Sequence, residues 1–572
     1  MYISEIKGIS NYRNLSNVDF SFDKKINFVV GENNIGKTNL IELMSKLIKV
    51  GKFEENDFTD IREPIEVTFK IGYSIEEIGF FENTFDIDDT YAITITARQE
   101  NIDDRIEYCH TASGSNINLK NIKMLNFIYY SSLRSPNKEL SFSNNIGTGK
   151  VLKYIMKKSL ESKDIEQMDL LKQDDVNEVI LEVNSKFDKL NGLSSEKIEA
   201  FLSNDNESII NRLLEIGDSN GRNISELGDG LQYSFNIFLN ILELLVNLKT
   251  TKKDEDFESL LIKCDEGYRY LPIILGLDEP EVHQHPFRQR ALIKSIQSIL
   301  DGHNEAFTEI IQELFDIDGF YGQVFISTHS PNIILNDYRQ ITRIYKSGAN
   351  IGATSGNSLI FEPDIHKHLM RSFVYFKEAM FARSVILVEG DTEYGAIPIF
   401  ADRLKYDLDE KNVGVVKLDG ADGVLKYLKL FDAYKIDAVA ILDKDKESDY
   451  TGNPKIKFTS GEDFEEELFD NYTFKKYIRY LVSVRKCSFL VSILKSKIEG
   501  FQASDFMKNP TKYNITEETG VNVMMEIRDR EINELRNLKN AINGALLAKY
   551  VDIVPQSFED VINYAICGLY DK

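Results

Sequence analysis

Ile26-Asn-Phe-Val-Val-Gly31-Glu-Asn-Asn-Ile-Gly36-Lys37-Thr38-Asn39 is the stretch on which the fold turns. Ile26 to Val30 is an apolar run with the composition of a buried strand, and Thr38 to Val50 has helical texture. Between them, Gly31 to Thr38 fits the G-x-x-x-x-G-K-T pattern of a phosphate-binding loop. Its glycines let backbone amides curl around phosphate oxygens at the positive end of the following helix. Lys37 is placed to meet the β- and γ-phosphates of a nucleotide, and Thr38 to give its hydroxyl to Mg²⁺. Asn34 and Asn39 complete the candidate nucleotide contacts. With strand and helix in place, a chance glycine loop is the poorer reading.

Two later runs supply what such a loop needs. Ile273-Ile-Leu-Gly-Leu-Asp278-Glu279-Pro280 is an apolar strand ending in a carboxylate pair, suited to a Walker B element. Asp278 would join the Mg²⁺ shell, and Glu279 would orient or deprotonate the attacking water. Carboxylates often cap strands, so this pair gains its meaning from the loop before it. Val324-Phe-Ile-Ser-Thr-His329-Ser330-Pro331 ends in a histidine able to contact the γ-phosphate. Taken alone, His329 is more often a structural histidine.

A second α/β texture starts at Val385. Val385-Ile-Leu-Val388-Glu389-Gly390-Asp391-Thr392-Glu393 delivers a carboxylate into a glycine turn. Ala438-Val-Ala-Ile-Leu442-Asp443-Lys444-Asp445 ends in two carboxylates at i, i+2. In an extended chain these point to the same side, so Asp443 and Asp445 are expected to address one metal cluster with Glu389. Oxygen ligands without Cys or His favour Mg²⁺ or Mn²⁺ over zinc, and such clusters suit phosphoryl transfer. For one acid taken singly, strand capping is the default reading.

The 572 residues carry 68 basic and 92 acidic side chains, a formal charge of −24. At roughly 150 residues per domain, two to four domains are expected. A surface this negative repels nucleic acid on average, so charge alone argues against such a partner while leaving local patches open. Cys109, Cys264, Cys487 and Cys567 are scattered, which argues against structural zinc or a redox dithiol and fits a reducing cytosol. There is no basic-then-apolar leader, and Phe235 to Leu248 is interrupted by Asn236, Asn240, Glu243 and Asn247. A cytoplasmic protein with no membrane span is therefore expected. From about 150 to 215, Lys, Glu, Asp and Leu dominate and prolines vanish, which reads as a helical insertion. Lys346–Ser358 reads as a loop.

The first set of motifs resembles ATPase heads of the ABC/SMC kind. Ser225-Glu-Leu-Gly228-Asp-Gly230-Leu-Gln232 resembles their signature motif, which contacts ATP bound to a partner subunit, so Gly228 and Gly230 join the nucleotide contacts. Glu281-Val-His-Gln-His285-Pro286 resembles the segment after Walker B, making His283 and His285 part of a dimer-contact loop rather than a metal pair. The E-G turn with the later D-x-D resembles the Toprim domain of topoisomerases, primases and certain nucleases. Their order in one chain resembles the overcoming lysogenization defect (OLD) nuclease family over essentially the whole length.

That resemblance implies an α/β architecture. An ABC-type P-loop ATPase domain would occupy 1–375, with an inserted helical dimerisation segment at about 150–215. A Toprim, Rossmann-like domain would follow over 381–572. It implies ATP and Mg²⁺ or Mn²⁺ as cofactors, with Glu389, Glu393, Asp443 and Asp445 as metal-binding acids. A further acid is implied later, best matched in Gly461-Glu-Asp463-Phe-Glu465, with Glu465 ahead of Asp463. Lys539 aligns with a C-terminal lysine held to stabilise the scissile phosphate; a solvent-facing helix lysine is its other reading. Arg134, in Tyr129-Tyr-Ser-Ser-Leu-Arg134-Ser-Pro136, would approach the nucleotide. DNA would meet Lys475-Lys476-Tyr477-Ile-Arg479-Tyr480, Arg485-Lys486 and Arg383, with the tyrosines stacking or packing. The function implied is an ATPase-coupled, metal-dependent DNA endonuclease, a homodimer or higher assembly. The resemblance places it in bacterial anti-phage defence, Gabija-like or retron-associated, alone or beside a helicase-like or reverse-transcriptase partner. The rivals are an ATP-driven DNA-binding or repair factor that does not cut, and a nucleotide-sensing scaffold that recruits a partner.

Overall fold

The computed structural model describes residues 1–74, 77, 91–131, 140, 147–162, 173–191, 197–202, 214–263, 267–282, 284–348, 350–418, 420–484, 488–509 and 511–568. Arg134, His283, Arg485 and Lys486 lie outside the described residues. The chain divides into compact units at 1–360 and 361–572. The helix Pro363–Phe376, expected in the first, falls in the second. Its Phe376 packs edge-on against Tyr427 and Phe431 of the helix Val424–Ala433.

In the first unit, Ile26–Val30 is buried along its whole length, between Gly319–Ser327 and Ile341–Ser347. Phe127–Tyr130, Arg269–Asp278 and these three strands run parallel. Their unbroken apolar runs suit strands covered on both faces. A second, antiparallel sheet orders Phe20–Ser21, Tyr2–Ser10, Ile65–Gly72, Ala92–Gln99 and Glu107–His110. The helix Lys37–Ile48 buries Leu40, Ile41, Leu43, Met44, Leu47 and Ile48 in a core shared with side chains of both sheets.

Two expectations for this unit are corrected. Lys346–Ser358 is largely a hairpin: Ile341–Ser347 pairs antiparallel with Asn350–Ser355, turning at Gly348 with φ +62°. Its small polar residues read as loop, but a sheet edge supplies the backbone partners. The insertion is helical over Thr148–Ser162 and Gln173–Asn191, then forms the strand pair Ile198–Leu202 and Leu214–Asp218. Buried Ile198 and Ala200 carry a period of two that the charged composition hid. The helix Asp229–Thr251 includes a window long and apolar enough to cross a membrane, yet 72% of that window is buried inside the fold.

In the second unit, four parallel strands lie in the order Val413–Lys417, Ser384–Val388, Asp437–Leu442, Ile456–Phe458. The chain leaves Ser384–Val388 to one side and then to the other. The ends of Ser384–Val388 and Asp437–Leu442 therefore adjoin at a switch point, where open α/β sheets place ligands. After Ile456–Phe458 the described chain is helical, up to Gln556–Cys567. The helices Asp391–Arg403 and Ala541–Tyr550 cross in backbone contact: a Cβ on Gly395 would lie 1.9 Å from the Ala541 oxygen, and one on Gly544 1.8 Å from the Thr392 oxygen.

Candidate functional site

The loop after Ile26–Val30 curls because Gly31, Asn34 and Gly36 take positive φ, +147°, +59° and +112°. Lys37 Nζ donates to the carbonyls of Gly31 at 3.0 Å and Glu32 at 2.8 Å. Burial brings its pKa down to about 8, against the pull of Glu279, Asp278 and Glu281. Thr38 Oγ1 donates to Asp278 Oδ1 at 2.9 Å, and Ser327 Oγ donates to the same oxygen. Glu279 sits in a left-handed turn, φ +47°, that swings it off the strand end. Its Oε1 lies 3.3 Å from His329 Nε2. Burial, then the charge of Lys37, lowers the His329 pKa, against the pull of Glu279 and Asp278. A cleft of about 720 Å³ gathers Asn34, Gly36 to Asn39, Glu279 and His329.

Several participants went unnoticed in the sequence. Asn14 Nδ2 donates to the Ile35 carbonyl at 3.1 Å, and Arg13 reaches Asn39 Oδ1 at 2.6 Å and Glu42 Oε2 at 2.5 Å. The run Asn11-Tyr-Arg-Asn14 directly after a strand was the available signal. Gly228 and Gly230 do not line this cleft: Gly228 caps the helix Asp229–Thr251 beside exposed Ser225 and Glu226. His285 caps the helix Pro286–Leu300, its Nδ1 accepting the Phe287 N–H at 3.4 Å.

The second unit brings five predicted residues together: Glu389 and Asp443 at strand ends, Glu393 and Glu465 on helices, and Lys539 just before the helix Ala541–Tyr550. Glu389 Oε2 accepts the Asp443 N–H at 3.3 Å across adjacent strand ends, and Asp443 Oδ1 accepts the Phe464 N–H at 3.2 Å. Burial first, then Asp443 and Glu465, raises the buried Glu393 to about 8. Burial and Glu389 raise Asp443 to about 7. Glu465 is 1% exposed, neither of its oxygens has a hydrogen-bond partner, and burial raises its pKa. Lys539 Nζ is 3.4 Å from Glu465 Oε2. Burial opposes the charge on Lys539, but Glu465, Asp443 and Glu393 outweigh it and raise its pKa. Crowded carboxyls pushed upward, with orphaned oxygens and one cation, are a donor set that a divalent oxygen-seeking ion would satisfy. Among the described residues, no three such side chains already close on one point, so the ion would draw them in.

Two predicted acids are engaged by other partners, though the charge of Asp463 still reaches Asp443 and Glu465 and helps to raise them. The i, i+2 argument fails for Asp445 because Lys444–Lys446 is a 3₁₀ turn, not extended chain; its side chain is 62% exposed and 3.4 Å from Lys446. Asp463 caps the helix Phe464–Asp470 by accepting the Glu466 N–H at 3.0 Å, and its Oδ2 takes the Arg536 Nε at 2.5 Å.

The tyrosines expected to stack or pack are packed in the core. Tyr477 and Tyr480 are fully buried, their hydroxyls 2.6 Å from Glu531 and Asn543. Lys475 and Arg479 face outward on the same helix with Lys476 half-buried. Arg383 bonds the Ile566 carbonyl near the end of the helix Gln556–Cys567.

Residues 1–146 and 81–334 match the AAA ATPase domain family, and residues 380–445 match the TOPRIM domain of overcoming lysogenization defect protein-like chains. Endonuclease GajA of Bacillus cereus (strain HuB5-5) is 22% identical over 487 residues, 77% of this chain and 64% of its own. The DNA replication and repair protein RecF of Bacillus cytotoxicus is 52% identical over 42 residues, 7% of this chain and 11% of its own. The chain thus spans less than two thirds of the length of these curated relatives. Among solved structures, an SMC head bound to the C-winged helix domain of ScpA covers 62% of this chain and 97% of its own, at 14% identity and TM-score 0.34.

Proposed function

We propose, from the premise that this chain belongs to the AAA ATPase domain family and carries an OLD-like TOPRIM domain, that it is an ATP-hydrolysing, divalent-metal-dependent DNA endonuclease. The observation that carries this reading is buried Glu465, with both oxygens unsatisfied, facing Lys539 at 3.4 Å beside Glu393 and Asp443. A structural role offers no reason to bury Glu393 and Glu465, with half-buried Asp443 beside them, around one lysine, since taking crowded carboxyls out of water is costly.

In the first unit, Lys37 exchanges its loop carbonyls for nucleotide phosphates, and Thr38 and Asp278 hold the accompanying Mg²⁺. Glu279 orients the attacking water, and His329 holds Glu279 from the opposite side. Exposed Ser225 and Gly228 are available to the nucleotide of a second copy, as the ABC/SMC resemblance implies, so the assembly is a homodimer or larger.

In the second unit, Glu389, Glu393, Asp443 and Glu465 are the residues that would hold Mg²⁺ or Mn²⁺. A bound divalent ion supplies charge stabilisation to the attacking and leaving oxygens of a phosphodiester. Lys539 gives its ammonium to a non-bridging phosphate oxygen, and Arg536 steadies the turn that carries it by binding Asp463. The similarity to GajA and the OLD resemblance favour DNA as substrate and defence against phage as the role.

The test is incubation with supercoiled plasmid in Mg²⁺, Mn²⁺ or EDTA, with and without ATP. Nicking with either metal that disappears in EDTA and in Glu389→Ala supports the nuclease. Cutting by Glu389→Ala would overturn the site, and no cutting with any metal would favour a scaffold.

A further inference from the structure

Glu281, two residues past the catalytic-type Glu279, is 9% exposed and makes none of the hydrogen bonds described above. Its Oε1 accepts two hydrogen bonds, from Thr328 Oγ1 at 2.6 Å and from the His329 backbone N–H at 2.9 Å, while Oε2 has no partner. The strand ends beside it are already in register, Asp278 opposite Ser327, with the Glu279 N–H donating to the Ser327 carbonyl at 3.0 Å. Thr328 still donates its N–H to the Val29 carbonyl at 3.2 Å, and the chain turns at His329 and Ser330, beyond the strand Gly319–Ser327. The Ser330 N–H closes this turn on Thr328 Oγ1 at 2.9 Å, and Glu281 ties it to the chain following Asp278. A buried side chain serving only to fill space would need no acceptor, and burying a carboxylate is expensive. What Glu281 supplies is an anchor for the backbone of His329.

We propose that Glu281 is a positioning residue for ATP hydrolysis: by holding the Thr328–His329 turn, it keeps the imidazole 3.3 Å from Glu279, where it aligns that carboxylate. This rests on the ATPase reading above. Glutamine keeps one acceptor of the same reach, whereas alanine keeps none, and the pair of substitutions separates anchoring from bulk.

The experiment measures ATP hydrolysis, melting temperature and the ring-¹⁵N spectrum of the seven histidines in the full chain, for the parent, Glu281→Ala and Glu281→Gln. His329→Gln assigns the His329 ring signal. Glu281→Ala should lower kcat roughly 10- to 100-fold with KM within about twofold, because misplacing a catalytic group by about 1 Å has that effect. Glu281→Gln should recover at least about tenfold of the loss. Without nucleotide, the His329 ring signal should move in Glu281→Ala and lie near the parent position in Glu281→Gln. Unchanged kcat in a folded Glu281→Ala overturns the proposal. So does an unmoved ring signal, or equal damage in Glu281→Gln at an unchanged melting temperature. Should the parent hydrolyse no ATP, the ATPase reading fails by itself, and the ring spectrum still decides whether Glu281 holds His329.

Discussion

Glu393 and Asp443 carry pKa values of about 8 and about 7, against 4.5 and 3.8 for the free side chains. The sign of the consequence is set by proton binding. Below about pH 4 both folded and unfolded chains hold these protons, and the groups contribute nothing. As pH rises the unfolded chain releases them first, so stability relative to acid falls until the folded groups ionise near pH 8. The divalent ion of the proposed function would replace the protons, and at 100-fold excess over its Kd would stabilise by about 2.7 kcal/mol. The expected outcome is a melting temperature in EDTA that drops between pH 5 and 8, and a Mg²⁺-induced rise of several degrees that is largest at pH 8. A Mg²⁺ effect independent of pH would dissociate the ion from these acids. Single substitutions should sort the acids as the geometry does. Glu465→Gln and Asp443→Asn should each lower cleavage at least about 100-fold and raise the half-saturating Mg²⁺ concentration, since each removes an oxygen with no substitute. Asp445→Asn should leave that concentration within about threefold. Asp463→Asn and Arg536→Met should match one another, lowering kcat through Lys539 with the metal titration unmoved.

Helix crossing decides where Lys539 ends up. Gly395 and Gly544 let Asp391–Arg403 and Ala541–Tyr550 meet backbone to backbone, with Asn540 capping the second helix one residue after Lys539. Gly544→Ala puts a methyl 1.8 Å from the Thr392 carbonyl, so the helices must part. Overpacking of this kind costs about 1–3 kcal/mol or more. Cleavage should fall at least about tenfold, with a melting transition lowered by several degrees, while ATP binding by the first unit persists. None of this crossing was legible in the chain: Gly544 sits in an ordinary-looking helical run, and the requirement for glycine comes from Thr392, far earlier in the chain. Legibility followed locality. The loop Gly31–Thr38 and the runs ending in Asp278, His329, Glu389 and Asp443 were readable because their chemistry follows directly from a buried strand. Glu465 was favoured over Asp463 in the sequence, but what separates them is Arg536, which occupies Asp463 from a distant helix. Asp445 departs from the extended-chain expectation because that period was carried three residues past Leu442, into a 3₁₀ turn. The hairpin Ile341–Ser355 was hidden because a sheet edge, not composition, makes Gly-Ser-Asn chain into strand.

A charge of −24 repels DNA from most of this molecule, so the contact that the proposed function requires is a local one. The helix Phe474–Val484 offers a place for it. Phe474, Tyr477, Ile478, Tyr480 and Leu481 are buried, which turns Lys475 and Arg479 to solvent with Lys476 at the margin, a spacing of one helical turn. Arg528, by contrast, is taken up by Asp470 and Glu466, and Lys497 by Glu526, so those cations offer less to a phosphate. Three phosphate contacts release counterions with a slope in log K against log salt of about −2.7, at about −0.9 per contact on duplex DNA. Replacing Lys475, Lys476 and Arg479 by alanine should weaken binding of any duplex sequence and reduce the measured slope by about that amount, with ATP hydrolysis unchanged. The tyrosines give the control: Tyr480→Phe removes the bond to Asn543 and should lower the melting temperature while leaving the salt slope where it was, because a buried ring meets no base. A slope unaltered by the triple substitution would remove this helix from the DNA path and leave Lys539, at the metal-site acids, as the cation on which phosphate recognition in the second unit rests.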